Sequence, residues 1–251
     1  MLIYGFNPVL EALRAGRVRE VLVASRADDR VQALIGEATM LGVGVRRVTK
    51  DELDARSQRG VHQGVAAEVS APGAATVEQL ATPAGEPPLI VVLDEVEDPQ
   101  NVGAILRSVD AAGASGLIRQ DRRAARLDGA AVKASAGAVH HVRVATVVNI
   151  ARALEELKAA NVWTVGLDAG AEMTYDEWDF SVPTAVVVGA EGHGLRRLVR
   201  ERCDQVVSIP MRGHVDSLNV SAATAIVLFE AVRQRSRGRL SRKSRPDPGG
   251  G

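Results

Sequence analysis

Three short stretches hold the side chains with the means to do chemistry. In "DPQNVGAILR", residues 98–107, they are Asn101 and Arg107. In "VVVGAEGHGL", residues 186–195, Glu191 stands among glycines. In "IPMRGHVDSLNVSAA", residues 209–223, they are Ser217 and Asn219. Amide, guanidinium, carboxylate and hydroxyl groups can orient a polar substrate and stabilise charge through hydrogen bonds. Each also has a plainer reading alone. Asn101 can cap a helix carrying Ile105, Leu106 and Val109, and Arg107 can be a solvated residue among apolar neighbours. Ser217, Asn219 and Ser221 alternate directly before an apolar helical stretch, 222–232, where Ser and Asn are good caps. One helix needs one such cap, so the other polar groups need a separate reason.

Gly189, Gly192 and Gly194 follow an apolar run and permit close backbone approach to a ligand. Their spacing is GxxGxG, not the GxGxxG of a dinucleotide turn, and Glu191 stands where a phosphate would have to bind. "LDEVEDPQNVG", which opens the second half, lacks that fingerprint too, which removes a nicotinamide-dependent dehydrogenase. His140, His141, His193 and His214 form no familiar ligand set, so no metal is assigned. Cys203 is the only cysteine, which excludes an internal disulfide and a cysteine-based zinc cluster.

The elements that must position these residues divide in the seventies. Residues 1–70 alternate short strand-like runs ("REVLVAS", "GVGVRRV", "QGVAAEV") with helical stretches. Asn7-Pro8 reads as a helix start, and Thr49 with Glu52 has capping-box spacing. Residues 71–88, rich in Ala, Pro, Gly and Thr, read as a linker. From Leu89, "LIVVLDEV", "ASGLIR", "VWTVGLD", "TAVVVGAEG" and "DQVVSIPM" are apolar without alternation. Such runs predict strands buried on both faces of a mostly parallel sheet, whose ligands bind at the carboxyl ends of its strands. All three chemical stretches fall at strand ends of one domain, residues 89–235. Residues 236–251 read as a basic, disordered tail.

Taken together, "DPQNVGAILR", "VVVGAEGHGL" and "IPMRGHVDSLNVSAATAIVLFEA" resemble, in order and spacing, the three motifs of the SpoU/TrmH family of RNA ribose 2′-O-methyltransferases. Within it, the likeness is greatest to the branch acting on guanosine in 23S ribosomal RNA. "IYGFNPVLEAL" and "VHQGV" resemble the family's small N-terminal RNA-binding domain, an α/β unit of ribosomal-protein type. The resemblance implies an α/β methyltransferase domain whose chain is tied in a trefoil knot. The strand pattern alone gives only an open parallel sheet. It also implies a homodimer and S-adenosylmethionine as methyl donor. The family's catalytic positions then fall on Asn101, Arg107, Glu191, Ser217 and Asn219, and its donor contacts on Gly189, Ile209 and Leu218. Other substrates within the family are a transfer-RNA ribose or a ribosomal site linked to antibiotic resistance. Arg212, His214 and Asp216 make the loop before "SLN" more charged than the family pattern, which bears on substrate preference.

Composition sets the remaining limits. The chain has 31 basic and 31 acidic residues and 46% hydrophobic residues, so RNA affinity must come from local charge. "RQDRRAAR", 119–126, and "RQRSRGRLSRKSR", 233–245, supply it. Aromatic residues are only 3%, which disfavours extensive base stacking. His62 and Gln63 in "VHQGV" read as core or turn residues. No apolar run reaches membrane-spanning length and the N-terminus lacks a signal-peptide layout, so a cytoplasmic protein is expected.

Overall fold

The computed structural model describes residues 2–24, 28–57, 60–69, 74–127 and 129–243. The chain forms two compact units, one of residues 1–74, 98–107 and 125–143, the other of 75–97, 108–124 and 144–251.

The first unit holds β1 (Leu2–Tyr4), α1 (Phe6–Arg14), β2 (Val18–Ala24), α2 (Asp29–Met40), β3 (Gly44–Val48), α3 (Lys50–Arg56) and β4 (Val65–Val69). The four strands lie in the order β1-β4-β2-β3, with β2 and β3 parallel and β4 antiparallel to both of its neighbours. Pro8, Val9, Ala12 and Leu13 give α1 its buried stripe. Thr49 does cap α3, accepting from the Glu52 amide at 3.2 Å, but Glu52 itself turns to Arg46 and Arg56. At α1 the chain enters through Gly5 in the left-handed region (φ +96°), and Gln63 Oε1 takes the Phe6 amide at 3.0 Å. His62 accepts the Gly64 amide at Nδ1, so its Nε2–H faces Asp54 at 3.0 Å. Both residues of "VHQGV" are therefore structural.

This unit does not stop at residue 70. A Cβ on Gly103 would press on Ala131 O and Ala134 Cβ, and Arg17 donates to His140 O at 2.6 Å. Residues 98–107 and 125–143 pack here, a grouping that sequence order does not reveal.

The second unit begins where a linker is expected. Residues 70–73 lie outside the described residues, but β5 (Ala74–Ala75) and α4 (Val77–Ala81) follow at once. The segment 71–88 is thus only partly a connector. Thr76 and Gln79 form a full capping box, and Val77, Leu80 and Ala81 are buried in the main apolar cluster. In chain order there follow β6 (Leu89–Asp94), α5 (Pro99–Ala111), β7 (Gly116–Gln120), α6 (Gly129–Ala134), β8 (Val144–Val147), α7 (Ile150–Ala159), β9 (Trp163–Leu167), β10 (Thr184–Gly189), α8 (Arg197–Arg202), β11 (Gln205–Val207) and α9 (Val220–Lys243), of which α6 and most of α5 belong to the first unit. The sheet order is β11-β9-β10-β6-β7-β8-β5, and the first six strands pair in parallel. Every residue of β6 and β10 is buried, as their unbroken apolar runs require.

Helix α9 extends well past Val232 and continues to Lys243, so the segment expected to be a disordered tail from 236 is helical over 236–243. Residues 244–251 lie outside the described residues. Arg235 explains part of that extension. Its guanidinium donates to four carbonyls, Pro87 at 2.6 Å, Phe180 at 2.8 Å, Pro88 at 3.1 Å and Val182 at 3.2 Å. It thereby holds the helix against the entries of β6 and β10. No helix among the described residues is long and apolar enough to cross a membrane.

Candidate active site

The parallel sheet ends, on its carboxyl side, in a cavity of about 510 Å³. Its lining comes from the ends of β9 and β10 and from the segment leading into α9. Gly189, Glu191, Ile209, Ser217, Leu218 and Asn219 all face it, although they are spread over thirty-one positions of sequence. The volume is in the range of small-molecule sites.

The loop after β10 shows why its glycines are there. A Cβ on Gly189 would fall onto the backbone of Gly194 and Leu195, so the close approach is by the loop's own chain rather than by a ligand. Gly192 (φ +80°) and Gly194 (φ +64°) have open space around them and are required instead by left-handed backbone. The Gly194 amide returns to Ala190 O at 2.9 Å and closes the loop, leaving Glu191 exposed at its tip.

Asn219 joins that tip to the last motif. Its Nδ2 donates to Glu191 Oε1 at 2.6 Å, while its Oδ1 accepts from the Ser221 amide at 2.9 Å and the Ser221 hydroxyl at 2.6 Å. One side chain caps α9 and seats a carboxylate at once. Ser221 serves the cap, and Ser217 is left exposed on the cavity wall.

Two features here escape a reading of the sequence. Asp94, the last residue of β6, has a fully buried carboxylate that accepts from the Arg196 amide at 2.9 Å, from its Nε at 2.8 Å and from its Nη2 at 2.5 Å. That bonding raises the pKa of the Arg196 guanidinium above its ordinary value. Asp168, at the end of β9, also lines the cavity; it takes the Gly170 amide at 2.8 Å and Arg200 Nε at 2.9 Å. The rule that ligands meet strand ends could have found Asp168 in "GLDAG".

Asn101 and Arg107 belong to the other unit. Asn101 is not the cap of α5. Asp98 accepts from the Gln100 and Asn101 amides at 3.1 and 3.3 Å, which puts Asn101 in the first turn with its side chain buried. Arg107 is exposed on the same helix. The arginine-rich segment offers fewer cations than its composition implies: Arg119 is half-buried, and Arg123 pairs with Glu95 at 3.1 Å. Arg122 and Arg126 are exposed.

The cavity suits a nucleoside carrying a cationic sulfonium. Val188, Ile209, Met211 and Leu218 supply apolar wall, Glu191 supplies a carboxylate, and that of Asp168 is shared with Arg200. Among the described residues no cluster could hold a metal ion.

The profile of the SpoU rRNA Methylase family matches residues 88–229, and that of RNA 2′-O ribose methyltransferase substrate binding matches residues 2–74. A 23S rRNA (guanosine-2′-O-)-methyltransferase, RlmB, from Pseudomonas syringae pv. tomato is 44% identical over 93% of this chain and 96% of its own length. A tRNA/rRNA methyltransferase of Mycolicibacterium gilvum, itself uncharacterized, is 42% identical over 93% of this chain and 76% of its own. Among solved structures, the SpoU methyltransferase AviRb from Streptomyces viridochromogenes, in complex with AdoMet, superposes with a TM-score of 0.80. It is 30% identical and the match covers 95% of this chain and 91% of that one.

Proposed function

The chain belongs to the SpoU rRNA Methylase family, and from that premise we propose that it methylates the ribose 2′-hydroxyl of a guanosine in 23S ribosomal RNA in the cytoplasm. The enzyme class is that of RNA 2′-O-methyltransferases using S-adenosylmethionine; the ribosomal guanosine is the finer reading. It is favoured by the likeness over nearly full length to the Pseudomonas enzyme. A transfer-RNA ribose, or a ribosomal site linked to antibiotic resistance, is the second reading, since other relatives carry the broader tRNA/rRNA description.

One observation carries the proposal. Six residues chosen from two separate motifs line a single cavity at the carboxyl end of a parallel sheet. Gly189, Ile209 and Leu218 would hold the donor, with the apolar walls around its adenosine. S-adenosylmethionine supplies a methyl group already activated on a sulfonium, so positioning can provide much of the acceleration. The 2′-oxygen attacks the methyl carbon as the carbon–sulfur bond breaks, and its proton leaves to an acceptor. Arg107 offers donors in a planar fork and no acceptor. Its role is to orient the hydroxyl and nearby phosphate through its planar fork. Asn101 supports Arg107, Ser217 and Asn219 orient the ribose, and Glu191 is held in place by Asn219.

The reading includes the trefoil-knotted path and a homodimer that the family resemblance implies. It also gives residues 1–70 the RNA-binding role.

Mapping 2′-O-methylated nucleotides in RNA from cells with and without this protein tests the substrate. Loss of one guanosine modification in 23S RNA is expected; loss only in transfer RNA would select the second reading. Arg107→Ala should reduce turnover by roughly 10²–10³-fold with donor affinity little changed, on the scale of removing one transition-state donor. Arg107→Lys should recover only a minor part, because it keeps charge without the fork. Full activity in Arg107→Ala would remove Arg107 from the mechanism.

A further inference from the structure

We infer that Arg196 is a positioning residue for methyl transfer, holding the Glu191 loop in place through the buried carboxylate of Asp94; the inference rests on the donor site proposed above. The loop leaves β10 at Gly189, which is paired in register with Asp94 on the neighbouring strand. It re-enters helix at Arg196, the residue before α8, whose amide and side chain both return to Asp94. Both ends of a short loop thus meet at one residue, the first beside its backbone in the strand ladder and the second on its carboxylate. From the other side the loop tip is fixed by Asn219 through Glu191.

Stability alone is a weak reason for this pair. A buried carboxylate must be bonded to be tolerated, yet an apolar pair of similar volume often gives equal or greater stability. What an apolar pair cannot do is direct a backbone amide and a fork of side-chain donors at two oxygens of one group. The pair fixes the loop's exit direction, and with it the cavity wall and Glu191. Glu95 extends the arrangement, meeting Arg196 at 3.3 Å and Arg123 at 3.1 Å. The arginine-rich segment therefore hangs on the same network.

The test is titration calorimetry of S-adenosylmethionine with the full chain, well below its melting temperature. A merely structural role would lower the binding stoichiometry, as part of the protein unfolds, and leave the Kd of the folded part unchanged. Positioning predicts the reverse for Arg196→Lys: normal stoichiometry and a Kd weakened on the order of ten- to a hundredfold. The paired exchange Asp94→Leu with Arg196→Met restores apolar packing without directed bonds, so it should melt near the wild-type temperature and still bind weakly. Wild-type Kd in a folded form of either variant overturns the inference. Absence of binding by the unaltered chain overturns the donor site and this inference with it.

Discussion

At Gly189 the space that a β-carbon needs is filled by the backbone of Gly194 and Leu195. Gly189→Ala should therefore displace the loop, with a stability loss of about 1–3 kcal/mol from overpacking, and should abolish donor binding. Gly192→Ala meets no neighbour and strains only its own backbone, so it should keep measurable donor affinity. Equal binding by the two variants, read by calorimetry, would show that the close approach is not what matters. His140 makes a separate point. Its ring is buried, and neither ring nitrogen has a hydrogen-bond partner among the described residues. Burial, with Arg17 and His141 adding to it, pushes its pKa down from 6.5 to about 4. The folded chain keeps the ring neutral while the unfolded chain takes up a proton below about 6.5. Stability is therefore intact above 6.5 and falls as pH drops from there towards 4. His140→Leu should flatten the pH dependence of the urea midpoint in that window, and an unchanged slope would refute this. At this scale Glu191, Ser217 and Asn219 are singled out by their places in motifs that resemble the family, and all three line one cavity. Sequence reading does not find Asp94 and Arg196, which are 102 positions apart and look like an ordinary strand end and one arginine among several.

Strands β2, β3, β4, β6, β7, β9, β10 and β11 stand where their apolar runs put them. The elements that escape are those whose reason lies elsewhere in the chain. β1 has three residues and exists because β4 pairs with it. β8 is partnered by β7, and α4 is a short capped helix inside a composition that otherwise reads as connector. Helix α9 departs most, because four carbonyls distant in sequence gather on Arg235. Arg235→Ala leaves those carbonyls without a charged donor, and a loss of about 2–3 kcal/mol is expected from hydrogen bonds to a charged group. Arg235→Lys should regain only part, as a single ammonium cannot span the four. Denaturant midpoints decide this, and an Arg235→Ala variant as stable as wild type would show that water replaces the clamp. The same bonds remove Arg235 from the pool of phosphate ligands, and Arg233 is engaged by Glu230 at 2.6 and 2.7 Å. Truncation after Arg235 therefore isolates the distal cations: RNA affinity should weaken and its salt dependence flatten, while the helix stays clamped.

Across the whole molecule, two domains and a parallel methyltransferase sheet are legible from the sequence, and the grouping of residues 98–107 and 125–143 with the first unit is not. That grouping depends on small residues, such as Gly103 against Ala131 and Ala134, whose fit has no signature in composition. The proposed homodimer has a physical motive in α9. Ala222, Ala225, Ile226, Phe229 and Val232 recur at helical spacing yet stay exposed or half-buried, while Val220, Thr224, Val227, Leu228 and Ala231 face the core. Phe229→Asp should shift the mass measured by light scattering from dimer to monomer at micromolar concentration. A wild-type chain that is monomeric and active would remove the dimer from the reading. Arg235 has one more consequence, in the order of synthesis. Chains emerge from the ribosome amino end first, and β6, β9, β10 and all the cavity-lining residues precede Arg235. The cavity is complete in sequence before the latch on its sheet has been made, so the nascent domain must hold its strand entries together by apolar burial and the strand ladder until Arg235 arrives.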